Sequence, residues 1–272
     1  MNDGERRACL EWCVDLARRV GRTILLPRLQ IGRPPAGLRK KGIRDLVTEA
    51  DELAERTIVA EIGMRYPEHH IVAEETRHDE SQATGWRWYV DPLDGTTNFV
   101  HGLPLFCVSI ALYGPEGGEV AVVFNPAIDE CFYAARGQGA HFNSDTIRLH
   151  VSDTAELIDA TVVTGFAYDQ QRFPNLAAWN RLMPRTRALR RLGSAALDLA
   201  YVAAGRFDGM WEPGLNPWDV AAGALLVQEA GGRVTGYREG EDWLHGRRLL
   251  ATNGALHEVL GAEVRAAEME SI

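Results

Sequence analysis

Trp88-Tyr89-Val90-Asp91-Pro92-Leu93-Asp94-Gly95-Thr96-Thr97-Asn98-Phe99 is the stretch on which the reading of this chain turns. An apolar strand runs into a carboxylate, and Pro92 is expected to stop it. A second carboxylate follows three residues after the first, then a glycine and two hydroxyls. Ligands gather at strand ends in layered α/β folds. Asp91 and Asp94 on one tight turn are candidates to share hard cations, because Mg²⁺ takes oxygen ligands in near-octahedral geometry. Gly95 would let a phosphate approach the backbone, with the N–H groups of Gly95 and Thr96 directed at it as at a helix N-terminus. A bare Asp-Gly would read as a plain turn. Two acids around a proline, followed by Gly-Thr-Thr at the end of an aromatic strand, point elsewhere.

Working outward, Ile71-Val72-Ala73-Glu74-Glu75 places consecutive acids at the end of a short apolar run. Buried acids without partners are costly, and ligation of a metal by Glu74, with Glu75 behind it, would account for them. A solvated turn is the alternative for this segment taken alone. In Asp45-Leu46-Val47-Thr48-Glu49-Ala50-Asp51, Thr48 and Asp51 have capping-box spacing. A catalytic Asp51 would have to face the acid turn as well. Gly193-Ser194-Ala195-Ala196 is a small-residue helix start that suits close approach of a ligand to backbone amides. Trp211-Glu212-Pro213-Gly214 precedes Pro217-Trp218-Asp219-Val220, where Pro217 and Asp219 suit a helix N-terminus. Asp219 then leads an apolar helix, which places its carboxylate at the end of a buried layer.

The rest of the chain supplies the frame. An amphipathic helix is expected over 5–27, closed by Pro27, and a second one through Leu53–Ile62. Short strands follow at His70–Ala73, Arg87–Val90, Phe106–Tyr113, Glu119–Asn125, Glu130–Ala135 and Ala140–Phe142. After about residue 150, strands and helices alternate. The helix from Pro217 is apolar nearly all round, so it should be sandwiched between layers. Two sheets separated and flanked by helices are therefore expected, with an N-terminal half over 1–150 and a C-terminal half over 151–272 packing as one unit.

The 272 residues are 46% hydrophobic and 25% charged, ordinary for a globular enzyme. A net charge of −9 argues against a nucleic-acid partner. No stretch has the length or apolarity of a membrane span, and the polar start has no secretory pattern. Cys9, Cys13, Cys107 and Cys131 show no zinc-ligand spacing, so buried reduced thiols and a cytoplasmic setting are expected.

Taken together, the motifs resemble those of inositol monophosphatases, in order and at similar spacing, over nearly the whole chain. Asp91 to Phe99 and Pro217-Trp218-Asp219-Val220-Ala221-Ala222-Gly223 are the most specific of them. The resemblance implies a five-layered αβαβα sandwich of the α+β class, a homodimer, activation by Mg²⁺ and inhibition by Li⁺. It implies that Glu74, Asp91 and the Leu93 carbonyl hold one metal, and that Asp91, Asp94 and Asp219 hold another. A third would be reached by Glu74 through water. Thr96 and Asp51 would orient the attacking water, and the amides of Gly95 and Thr96 would bind phosphate. Glu212, with Asp94, Gly193-Ser194 and the backbone near Ala196, would meet the hydroxyls of a polyol. Lys40, or its neighbour Lys41, matches a basic loop position near the metals. The chemistry is coherent: a phosphate monoester dianion repels its nucleophile, so neutralising cations are needed, and no cysteine or histidine motif for a covalent intermediate is present. Histidinol phosphate, fructose 1,6-bisphosphate and a 3′-phosphoadenosine nucleotide are the competing substrates, and a non-catalytic interaction protein is the competing class.

Overall fold

Successive residues of a strand point to opposite faces of its sheet, and in the main strands of this chain both sets are apolar. Sheets built from such strands must be covered on both sides. The computed structural model describes residues 1–32, 35–40, 42, 46–76, 85–238 and 240–270. In chain order the elements are α1 (Asp3–Val20), β1 (Arg39–Lys40), β2 (Leu46–Val47), α2 (Glu49–Arg65), β3 (His70–Ala73), β4 (Arg87–Asp94), α3 (Thr96–Val100), β5 (Cys107–Gly114), β6 (Gly117–Asn125), β7 (Glu130–Ala135), β8 (Gly139–Phe142) and β9 (Ser144–Arg148). Then follow β10 (Thr161–Thr164), α4 (Leu176–Leu182), β11 (Ala188–Arg190), α5 (Ala195–Ala203), β12 (Gly209–Pro213), α6 (Pro217–Glu229), β13 (Arg233–Thr235), β14 (Arg248–Thr252) and α7 (His257–Glu270).

Strands β3 to β9 form a seven-stranded sheet in sequence order. Only β3 and β4 run parallel there. The five-stranded sheet has the order β11-β10-β12-β14-β13, parallel around β10 and antiparallel on the other side. The period-two alternation assigns the layers. Trp88, Val90, Ile110, Leu112, Val120 and Val122 meet α1 and α2, whereas Tyr89, Ala111, Ala121 and Val123 meet α5 and α6. In the second sheet Val163, Met210 and Leu249 meet α5 and α6, and Val162, Trp211 and Leu250 meet α4 and α7. The result is the expected αβαβα sandwich, with α5 and α6 as its middle layer.

That middle layer is tight. A Cβ on Gly223 of α6 would collide with Leu199 of α5. Gly223→Ala is therefore expected to lower stability by about 2 kcal/mol through overpacking, read as a lower urea midpoint. An unchanged midpoint would mean that the two helices yield.

Three local expectations are corrected. Pro92 does not stop β4, because the β4–β5 register shifts between Asp91 and Asp94, and a bulge tolerates a residue without a ladder N–H. Helix α1 ends at Val20 and continues as a π-helical turn over Gly21–Leu25, with Pro27 in a 3₁₀ turn over Leu26–Arg28. The widened turn begins where Gly21 meets the Phe124 ring, 2.7 Å from where its Cβ would stand. Strand β9 was not foreseen, since Ser144–Arg148 is polar and mostly exposed. Lys41 and Asp45 lie outside the described residues. The four cysteines are buried and unpaired. No helix among the described residues is long and apolar enough to cross a membrane.

His257, at the start of α7, is buried between two threonines, with Nδ1 3.0 Å from Thr252 Oγ1 and Nε2 2.9 Å from Thr235 Oγ1. Burial, then the Arg233 guanidinium, lowers its pKa to about 4. The neutral ring is thus the folded form. Its contribution is whole above the unfolded value of 6.5 and is lost as pH falls toward about 4. Between those limits the parent should lose about 2 kcal/mol, after allowance for solvent screening, that His257→Gln does not lose. Parallel stability curves for the two proteins would contradict this.

Candidate active site

The site forms where the bulged end of β4 meets the N-termini of α3, α5 and α6. Asp91 is buried, and its Oδ1 accepts from the Leu93 N–H at 3.0 Å. Gly95 turns the chain at φ 90° into α3, and a Cβ there would stand 2.7 Å from the Leu105 carbonyl. The first amides of α3 have no acceptor within the helix. Thr96 Oγ1 lies 3.0 Å from Asp51 Oδ1 and 3.1 Å from the Leu93 carbonyl, so its one proton has two acceptors in reach, of which the carboxylate is the stronger. Asp51 also accepts from the Thr48 N–H at 2.9 Å and from its hydroxyl at 2.5 Å. The capping box and the reach toward the acid turn are therefore made by one carboxylate. Burial lifts Asp51 to about 6 against the pull of the Thr48 and Thr96 hydrogen bonds, so it is ionised at neutral pH.

Asp94 stands half-buried across the turn. Its Oδ2 accepts from Ser194 Oγ and from the Ala196 N–H, both at 2.7 Å. The bonds tie β4 to the start of α5. Asn98 adds a second tie, its Nδ2 donating to the Leu105 carbonyl at 2.7 Å and the Leu192 carbonyl at 2.9 Å. Asp219, in the first turn of α6, accepts from the Asn216 N–H at 2.7 Å.

These elements enclose a cavity of about 310 Å³ lined by Glu74, Asp91, Leu93, Asp94, Gly95, Thr96, Gly193, Ser194, Glu212 and Asp219 among others. Three sequence expectations fall outside that wall. Asp51 lies behind Thr96 and touches the cavity only through it. Ala196 is buried with its N–H engaged by Asp94, and Ala195 takes its place on the wall. Lys40 is exposed on β1 and does not line the cavity.

Crowding of acids governs the electrostatics. Asp91 is pushed well up by burial and then by Glu74, Asp94 and Asp219, and Asp219 likewise by burial and Asp94. Burial also raises Asp94, although its hydrogen bonds from Ser194 and α5 resist. Glu212 is pushed up to about 8 by burial, Asp219 and Asp94. Among the described residues no three His, Cys, Asp or Glu side chains stand together as a finished cage for one ion. The acids are instead held by the protein hydrogen bonds above. As a donor set they still fit a hard divalent cation: withdrawn carboxylate oxygens, mutually repelling, with no ion pair from Asp91, Asp94 or Asp219 to a basic residue among those described.

Several wall residues carry no functional expectation from the sequence, where Arg191 reads as half of a solvated Arg190-Arg191 pair. Arg172, Arg191 and Arg247 bring positive charge to the rim. Gly165, at the end of β10, leaves room that a Cβ would take from the Glu212 carboxylate. A glycine directly after a β-branched strand was the available signal for it. Asn98 was quoted within its motif, but its partners lie 7 and 94 residues away.

The profile of the Inositol monophosphatase family matches residues 9–269. An inositol-1-monophosphatase from Mesorhizobium japonicum is 41% identical over 257 residues, covering 94% of this chain and 95% of that protein. A protein named Nus factor SuhB, from Pseudomonas aeruginosa, is 46% identical over 220 residues, covering 79% of this chain and 80% of its own. The solved inositol monophosphatase of Anabaena (Nostoc) sp. superposes with a TM-score of 0.84 at 40% identity and covers 96% of each chain. A shared sandwich, near full-length matches and the acid-lined cavity agree: the chain belongs to the inositol monophosphatase family, a family of phosphatases.

Proposed function

We propose that the chain is a Mg²⁺-dependent phosphomonoesterase acting on a small polyol ester, inositol 1-phosphate or one built like it. The carrying observation is a single cavity lined by Glu74, Asp91, Asp94 and Asp219, onto which Thr96 opens with Asp51 behind it. Two or three Mg²⁺ held by those four acids and the Leu93 carbonyl would neutralise the phosphoryl group, acidify water and stabilise the leaving alkoxide.

The chain's own groups do the rest. Thr96 Oγ1 donates toward Asp51, so its lone pairs are left to accept from a water and orient it. The pair can also relay that water's proton, Thr96 taking it as its own passes to Asp51. The amides of Gly95 and Thr96 at the start of α3 would hold phosphoryl oxygens. Glu212 and Asp94, with Gly193-Ser194 beside them, would take the hydroxyls of the polyol. The cavity volume suits a ring of that size. A homodimer and a cytoplasmic setting complete the proposal, the second supported by four free thiols.

A second reading rests on the relatives named Nus factor SuhB, 42–46% identical: an interaction role carried by the same scaffold, with or without catalysis. The experiment that separates these is phosphate release with Mg²⁺ from myo-inositol 1-phosphate, histidinol phosphate, fructose 1,6-bisphosphate and 3′-phosphoadenosine 5′-phosphate. The highest kcat/KM is expected for the inositol ester. A different leader would replace the substrate, and no release from any of them would favour the interaction role.

A further inference from the structure

Beside the catalytic cavity lies a second one of about 300 Å³, and the two share Arg172, Phe173 and Pro213. The buried Phe173 ring is the partition. Arg247 lies over it at 4.8 Å and lines the catalytic side, while Arg248 lies 5.9 Å from it and lines the other.

The second cavity has a different character. Pro174, Ala177, Ala178 and Val264 give it apolar walls, and its charged groups among the described residues are Arg172, Arg238, Arg248 and Glu268. Glu268 accepts from Arg248 Nε at 2.9 Å and pairs with Arg238 at 3.2 Å. Glu268 thus pairs with two of the three guanidiniums on this wall, which leaves an excess of positive charge among the described residues. Tyr237 also borders this space, but its hydroxyl is buried out of reach of anything the cavity holds. The catalytic scheme uses neither Arg238 nor Arg248.

We infer that this cavity is a binding site for a small organic anion, an apolar ring bearing an acidic group. The ring lies against the proline and alanine wall, and the acid accepts from the guanidiniums. Charged hydrogen bonds to arginine are the strong ones, and ring burial adds the apolar share.

Phenylphosphonate, which has no ester bond to hydrolyse, is the probe, titrated calorimetrically into protein freed of divalent cations by dialysis. Under those conditions the catalytic acids repel a dianion. Saturable binding is expected, weakened at least about tenfold in Arg238→Met, a surface substitution, and about fivefold in Arg248→Met. Asp91→Asn should bind it as the parent does. Absence of saturable binding, or equal binding by the parent, Arg238→Met and Arg248→Met with unchanged melting temperatures, would overturn the inference. Altered binding in Asp91→Asn would do the same, by placing the probe in the catalytic cavity.

Discussion

Asp91→Asn is expected to lower kcat/KM by roughly 10³-fold or more while making the cation-free protein harder to melt. Both effects come from one carboxylate. Asp91 is buried at the centre of the acid cluster, and Glu74, Asp94 and Asp219 all push its pKa up. A folded pKa raised above the unfolded value means that stability is lost as pH rises above the unfolded value, so by neutral pH this carboxyl group works against the fold. Asparagine keeps the shape and the oxygen that accepts from the Leu93 N–H, and removes the charge. Excess Mg²⁺ should reverse the ranking. A ligand at one hundred times its Kd stabilises the parent by about 2.7 kcal/mol, and the variant should lose most of that gain. Melting curves with and without Mg²⁺ test this. A variant less stable than the parent in both conditions would make Asp91 a structural acid.

The second large effect is at the Thr96–Asp51 pair. Thr96→Val replaces the hydroxyl by a methyl of like size and should lower kcat by about 10²–10³-fold with little change in KM. Asp51→Asn, which leaves an oxygen to accept from the Thr48 N–H of the α2 cap, should match it. If the two residues act as one unit, the double variant should be no slower than the slower single one. Multiplying losses would show that they act separately.

The acid turn was legible because its chemistry is local: two carboxylates, a glycine at positive φ and two hydroxyls fall within seven residues. The layers were legible because both faces of β4, β5, β6, β10, β12 and β14 are apolar and α6 has no polar side to show. What failed to show needed the third dimension. The spacing of Thr48 and Asp51 announced a cap, but that Asp51 also reaches Thr96, 45 residues on, follows only from where α2 lies against β4. The Ala196 amide donates to Asp94, from the other half of the chain, a bond that no spacing in the sequence announces. Pro92 reads as a stop in sequence, and only the partner strand reveals the bulge that admits it. The arginines of the rim, Arg172, Arg191 and Arg247, come from three separate loops with no common pattern.

The central claim is that the acid wall works with divalent cations on a phosphate ester. Release of inorganic phosphate from myo-inositol 1-phosphate, followed as Mg²⁺ is titrated into the cation-free protein, tests it most directly. The account predicts no release at the start and a saturable rise that parallels the gain in melting temperature. Folded protein that releases no phosphate at any Mg²⁺ concentration, or releases it equally well without the cation, would contradict it.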